Sequence, residues 1–471
     1  MLIPSRLVAS GLVVGCVLTV INVASAGAVP VSERIDEFVQ AEMQRQQVPG
    51  VAIGIVKGGV ELKAQGYGLA NLEHQVPVGP MTIFQSGSLG KQFTAAVVML
   101  LVEEGKLSLA DPLTKFFPDA PGSWGSITVQ HLLTHTSGIP DYTWEQIDFR
   151  KDYTEDELAA VAYALPLEFP AGTRWNYSNP GYVLLGIIVR KASGRFYGDV
   201  LKDRVFGPLG MTTARVISEE DIVPHRAAGY RLVDQEIKNQ EWVSPVLNTT
   251  ADGSLYFSLR DLIAWDAGVR ARAILKPESW EKILTPVQLG SGRTYPYGFG
   301  WSLDQRGGQP LQQHGGAWQG FTSQYSRFIG DDLSVIVLAN AAHADPERIA
   351  DGLAAIIDPR LAVPVLAPIE DSDPQVTTRL RRLLDEAREG RLAPSEFAYV
   401  RAGFFPEGAA EIQKELQALG PTTKMVLVDK TEKGDDRIFT YEVWFGEQTR
   451  YYAAGLAPDG RLSRFSLWKK E

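Results

Sequence analysis

Cysteine is almost missing from this chain: Cys16 is the only one in 471 residues. A mature form that sheds its first residues therefore has no disulfide, no cysteine nucleophile and no thiolate metal site. Positive charge is also short, with 46 Lys and Arg against 56 Asp and Glu and a net charge of -10. No field then favours a nucleic-acid backbone or an anionic membrane surface. The one basic run, RLRRLL at Arg379–Leu384, is followed at once by DEAREG, the pattern of a solvated helix face. Histidines are few and scattered. His131 and His135 stand four apart, but HLLTH lacks the glutamate of a zinc HExxH helix, so they read as a structural turn and no metal is expected. Long apolar runs are limited to Leu7–Val23, a little short of the ~20 residues that span a bilayer.

That run is informative in its setting. Arg6 precedes it and Ala24-Ser25-Ala26 follows, the order of a signal peptide over residues 1–26, which predicts a periplasmic or secreted chain. Val13-Val14-Gly15-Cys16 supplies the alternative of a lipid anchor through Cys16, the one membrane attachment envisaged. At 45% hydrophobic and 22% charged residues the rest can fill a sizeable core, and its length predicts two domains. Residues 32–46 carry Ile35, Phe38, Val39 and Met43 at helical spacing. VAIGIVKGGVELKAQGYGLA predicts a hairpin turning at Lys57-Gly58-Gly59, and YSRFIGDDLSVIVLAN a second one at Gly330-Asp331-Asp332, followed by a helix over 346–357. Strands at both ends of a long helical stretch predict an α+β domain over 32–358, an antiparallel sheet flanked by helices with an inserted helical lobe. Pro359, Pro364, Pro368 and Pro374 mark 359–374 as a linker, and helices followed by four strand candidates make 375–471 a small accessory α+β domain.

Three pieces carry chemistry. In FQSGSLGKQFTAA, Lys91 lies one helical turn after Ser88 and on its side, within reach of the hydroxyl. A nucleophile at a helix N-terminus also meets unpaired N–H groups and the positive end of the dipole. In PAGTRWNYSNPGYVLLGIIV, Tyr177 and Asn179 sit in a polar turn before a buried helix that begins near Tyr182. In LQQHGGAWQGF, His314 precedes two glycines that would let a ligand approach the backbone. Taken singly, each reads more readily as structure: an N-cap, a surface turn or a plain turn.

In the order S-x-x-K, Y-x-N, H-x-G, and with ITVQHLLTHTSGIP, YSNPGYVLLGIIV and VFGPLGMTTA beside them, the chain resembles the serine β-lactamase and penicillin-binding protein superfamily. The likeness is to its class C β-lactamase-like group of DD-peptidases, D-aminopeptidases and esterases, over about residues 32–358. The resemblance implies the β-lactamase/transpeptidase-like fold and serine hydrolysis of amides or esters without a cofactor. It implies Ser88 as the acylated nucleophile, Lys91 as the group that helps deprotonate it, and Tyr177 as a general base with a pKa pulled below that of a free phenol. Asn179 would bind the substrate amide or hold Lys91, and His314 and Gly316 would line the substrate strand. The backbone N–H groups of Ser88 and Ala317 would form the oxyanion hole.

Two departures from that pattern stand out. His314 replaces a lysine found in many β-lactamases and is neutral at pH 7 near its ordinary pKa. Asp252, in Ala251-Asp252-Gly253-Ser254, interrupts a segment of small residues and would narrow the cleft or give it a negative wall. Both argue against efficient β-lactam hydrolysis. The expected substrate is a small molecule or peptide, with D-amino-acid peptides or peptidoglycan fragments balanced against carboxylic esters. The alternatives are a weak β-lactamase and a non-catalytic recognition protein. The sequence leaves the oligomeric state open.

Overall fold

The computed structural model describes residues 29–142 and 146–469; the expected signal peptide and Cys16 lie outside them. Seven strands form one antiparallel sheet in the order Ser302–Arg306, Gln309–Trp318, Phe321–Phe328, Leu333–Ala339, Gly50–Lys57, Val60–Asn71, Val76–Pro77. Both hairpins read from the sequence are present. The first turns through Gly58 and Gly59, at φ 58° and 75°, with Lys57 opposite Val60. Two successive left-handed residues suit a tight hairpin, and glycine adopts them without a Cβ penalty. The second closes with Phe328 opposite Leu333. Gly50–Lys57 joins Leu333–Ala339 with Val51 opposite Ala339, so the middle of the sheet is made from the two ends of this region.

Alternation along these strands sorts two cores. Val51, Ile53, Ile55, Val335 and Val337 face the helices Val31–Gln46 and Pro346–Ile357. Ala52, Ile336 and Leu338 face the helical lobe, where the helix Leu259–Arg270 comes so close that a Cβ on Gly54 would stand 2.9 Å from Leu259. With both faces covered, the strands are continuously apolar instead of alternating. The helix expected over 32–46 buries Ile35 and Val39 and packs Phe38 and Met43 on the same core. Among the described residues, no helix is long and apolar enough to cross a membrane.

Beyond residue 374 a third core forms. Leu380, Leu383 and Leu384 of the helix Pro374–Arg388 and Leu416 of the helix Ala409–Leu419 cover a four-stranded antiparallel sheet whose strands follow chain order from Lys424–Lys433 to Leu462–Lys469. Basic residues of RLRRLL are spent locally, Arg379 on Glu396 at 2.9 Å and Arg382 on Glu386 at 2.7 Å. This C-terminal unit grips one segment of the lobe. The Ala402 N–H donates to Glu168 Oε1 at 3.0 Å, Arg174 pairs with Asp436 at 3.1 Å, and the Phe169 and Tyr399 rings meet edge-on. Residues 168–174 lead directly into Tyr177.

Candidate active site

Ser88 lies in a single 3-10 turn, Gly87–Gly90, that runs into the helix Lys91–Glu103. That helix is buried on every side through Leu101, because it crosses the centre of the lobe. Lys91 is therefore fully buried. Its Nζ donates to Ser88 Oγ at 3.2 Å, Asn179 Oδ1 at 2.7 Å and the main-chain oxygen of Asp252 at 2.5 Å. Three donors meet three acceptors, so the ammonium is satisfied. The Tyr177 and Tyr182 rings close over it with centroids 4.9 and 5.3 Å away. Burial pushes the Lys91 pKa down to about 8, with Asp252 and Asp141 pulling the other way.

Asn179 opens the helix Asn179–Ser193, three residues before the expected start. Ser178 accepts from the Gly181 N–H at 3.3 Å and Pro180 occupies the first turn, where its missing N–H costs nothing. Asp141 orients Asn179. Its two oxygens accept from the Asn179 main-chain and side-chain nitrogens at 3.1 and 3.2 Å, which turns the amide oxygen toward Lys91.

Tyr177 packs on His135 with ring centroids 4.2 Å apart and planes inclined by 33°. His135 Nδ1 accepts from the Ser178 N–H at 3.1 Å and His131 Nδ1 from the Thr128 N–H at 3.2 Å, so both histidines of HLLTH hold backbone. The Tyr177 hydroxyl is buried and makes no hydrogen bond among the described residues. Its pKa runs opposite to the expectation. Burial raises it well above 10, and the nearby Ser88 side chain only partly offsets this. A phenolate needs solvation or a tight cation, and here Lys91 Nζ lies over the ring, 4.9 Å from its centroid, so the protonated phenol is the favoured form.

His314 is also placed differently from its expected role on the substrate strand. Nδ1 lies 2.6 Å from its neighbour Gly315's carbonyl oxygen and Nε2 lies 3.0 Å from the Tyr297 hydroxyl. A neutral ring satisfies both, with Nδ1–H donating and Nε2 accepting. Burial pushes its pKa down to about 4, Lys91 pushes the same way, and the Gly315 bond resists. It is thus uncharged and spent internally. Gly316 does not admit a ligand either, because its missing Cβ leaves space that the Ser86 carbonyl oxygen fills, with Ser323 Oγ at 2.7 Å and Leu89 N at 2.9 Å of that point. We expect Gly316→Ala to cost about 1–3 kcal/mol through overpacking, seen as a lowered Tm. Gly122→Ala, whose added methyl meets nothing within 4 Å, should leave Tm nearly unchanged, and an equal drop in both would refute the packing argument.

Ser88, Asn179 and Ala317 line a cavity of about 150 Å³, together with Asp141, Asp252 and an apolar wall that includes Phe149, Leu247 and Trp318. Lys91, Tyr177 and His314 are not among its lining residues. Among the tryptophans of the first region, Trp318 faces the cavity, held by its Nε1–H to Asn248 Oδ1 at 2.8 Å, whereas Trp301 is core and Trp242 is exposed. Asp141 is the contributor that sequence reasoning missed, while His135 holds backbone as a turn residue and also packs on the Tyr177 ring. Asp141 follows the phrase HTSGIP directly, but it acts on a residue 38 positions away, and no local spacing signals that.

A family model described as Beta-lactamase matches residues 35–357. Penicillin-binding protein 4* of Bacillus subtilis (strain 168) is 30% identical over 314 residues, 63% of this chain and 69% of that protein. The D-aminopeptidase of Gluconobacter oxydans (strain 621H) is 29% identical over 338 residues, 69% of this chain and 62% of that protein, so the chain spans less than two thirds of that relative. Among solved structures, the octameric penicillin-binding protein homologue from Pyrococcus abyssi aligns with a TM-score of 0.63 at 25% identity over 93% of this chain and 96% of that one. This likeness extends past residue 357 into the C-terminal unit. The D-amino acid amidase from Ochrobactrum anthropi SV3 aligns with a TM-score of 0.60 at 25% identity over 70% and 97%.

Proposed function

The chain belongs to the beta-lactamase family and is a serine hydrolase, and on that premise we propose that it cleaves amides and peptides of D-amino acids through an acyl-enzyme on Ser88. The observation that carries this reading is the 3.2 Å contact from Lys91 Nζ to Ser88 Oγ, made at a cavity that both the nucleophile and Asn179 line. Relatives named as D-aminopeptidase and D-amino acid amidase support the substrate class.

In this mechanism the neutral amine of Lys91 takes the proton of Ser88 Oγ–H as Oγ bonds to the acyl carbon. With a pKa of about 8, roughly one Lys91 in ten is neutral at pH 7. The backbone N–H groups of Ser88 and Ala317 receive the oxyanion. As the carbon–nitrogen bond breaks, the Tyr177 hydroxyl gives its proton to the leaving amine, and the proton on Lys91 restores the phenol. Water then attacks the ester under the same base and releases the acid. His314, being neutral, offers no fixed cation for a carboxylate, which disfavours β-lactam hydrolysis as the main activity. Export after cleavage at Ala26 belongs to the same reading and rests on Arg6, the apolar run and Ala24-Ser25-Ala26.

The test is intact-mass spectrometry of protein quenched during turnover of D-amino-acid amides and esters, followed by peptide mapping. We expect an added acyl mass on the peptide that contains Ser88. Turnover with the acyl mass on another residue, or with none on rapid quench, overturns the reading.

A further inference from the structure

The cavity beside Ser88 holds one polar group that the mechanism leaves without work. Asp252 gives its main-chain oxygen to Lys91 at 2.5 Å, but its carboxylate oxygen Oδ1 is buried and accepts no hydrogen bond among the described residues. A carboxylate oxygen withdrawn from water without a donor is costly, and in a residue that lines a cavity it calls for a donor such as a ligand would bring. The other cavity carboxylate, Asp141, already accepts from Asn179 and the Tyr142 N–H on both of its oxygens taken together. None of the described residues lining the cavity is a lysine, arginine or histidine, and Lys91 has all three protons committed. The cavity therefore favours a cation and repels an anion.

Position and size narrow the ligand further. Gly253, the next residue, packs so tightly on the nucleophile's turn that a Cβ there would stand 2.6 Å from Gly87 C and 3.0 Å from Ser88 N. Asp252 is thereby fixed one residue from the backbone that faces the acyl carbonyl. The opposite wall is apolar, made by Ile147, Phe149, Leu158, Val183, Leu247 and Trp318. A volume of about 150 Å³ is that of a cavity that accepts benzene, so one aromatic or branched side chain fits.

We propose that Asp252 is a specificity-determining residue that receives the free α-ammonium group of the acyl part of the substrate, while the apolar wall takes that amino acid's side chain. This rests on the Ser88 acyl-enzyme reading and sharpens it: the substrate is an amino acid amide or a peptide with an unblocked amino terminus, and it is cleaved after its first residue. N-acylated peptides, and fragments whose amino group is already in amide linkage, lose the contact with Asp252.

The experiment compares D-phenylalanine amide, N-acetyl-D-phenylalanine amide and 3-phenylpropionamide on the full chain, with rapid-quench mass spectrometry of Ser88 alongside. The free amine should exceed both analogues in kcat/KM by roughly 10- to 100-fold, the range of one charge-assisted hydrogen bond, mostly through KM. Asp252→Asn should shrink that ratio at least tenfold. In the wild-type protein the ratio should also fall as pH rises past the substrate amine's pKa of ~8, a readout that needs no variant to fold. A wild-type ratio near one, a pH-independent ratio, or an equal loss on all three substrates in Asp252→Asn, each with an acyl mass on Ser88, overturns this inference alone. Turnover without an acyl mass on Ser88 overturns the proposed function, and this inference with it.

Discussion

Replacing Lys91 by methionine is expected to lower kcat/KM on a D-amino acid amide by about 10³- to 10⁴-fold, the upper range for losing a general base. Methionine matches the length of the lysine stem and keeps it between the Tyr177 and Tyr182 rings, so the loss reads chemistry more than packing. The pH dependence provides the second measurement. Burial holds the Lys91 pKa at about 8, below its ordinary 10.5, and the neutral amine is the active form. On a substrate without an amino group, such as 3-phenylpropionamide, the wild-type kcat/KM should therefore rise with pH up to about 8 and level off above it, whereas on a D-amino acid amide it should fall again as the substrate amine loses its proton. His314, with a pKa near 4, contributes no limb in that range. The residual activity of Lys91→Met should lack the rise. A variant that keeps both its rate and its rise would show that another group deprotonates Ser88.

Tyr177→Phe is expected to cost about 10²- to 10³-fold on an amide, within the range for general acid catalysis, and under tenfold on a p-nitrophenyl ester of the same acid. The contrast follows from the leaving groups. An amine must be protonated as it departs, whereas p-nitrophenolate leaves as an anion. The substitution removes one oxygen that bonds nothing among the described residues and keeps the ring on His135 at 4.2 Å, so thermal stability should not fall. Equal losses on both substrates would make Tyr177 the base for Ser88, as the family resemblance implies, and would require a phenolate that the burial of its hydroxyl disfavours.

The difference over Tyr177 shows where sequence reading stops. Both hairpins, the helices at either end of the first region and the four C-terminal strands are local patterns of period 2 or 3.6, and the structure has them within a few residues. The relation of Ser88 to Lys91 is local as well, one turn apart. Asn179 beside Lys91 and His135 beneath Tyr177 depend on where the lobe folds back on itself, and the resemblance supplied only the first. The burial that sets Tyr177 and His314 against expectation belongs to no single segment. Gly316 was read as an opening for a ligand because glycine leaves space, but what fills that space is Ser86, 230 positions earlier in the chain. The two departures noted from the sequence ended differently: His314 is spent inside the protein, and Asp252 keeps a free carboxylate oxygen at the nucleophile.

The pairing of Val51 with Ala339 bears on how the protein is made. A strand produced at the start of synthesis waits for its central partner until nearly the whole first region has left the ribosome. Contacts this distant in sequence form slowly, because a long loop must be closed before they stabilise anything. In the interval the strand of Val51, Ile53 and Ile55 is paired on its hairpin side only, so its other edge leaves the nascent chain vulnerable to edge-to-edge association. A fragment that ends before residue 333 carries Ser88, Lys91, Tyr177 and Asn179 but lacks Leu333–Ala339, the strand that joins the two halves of the sheet.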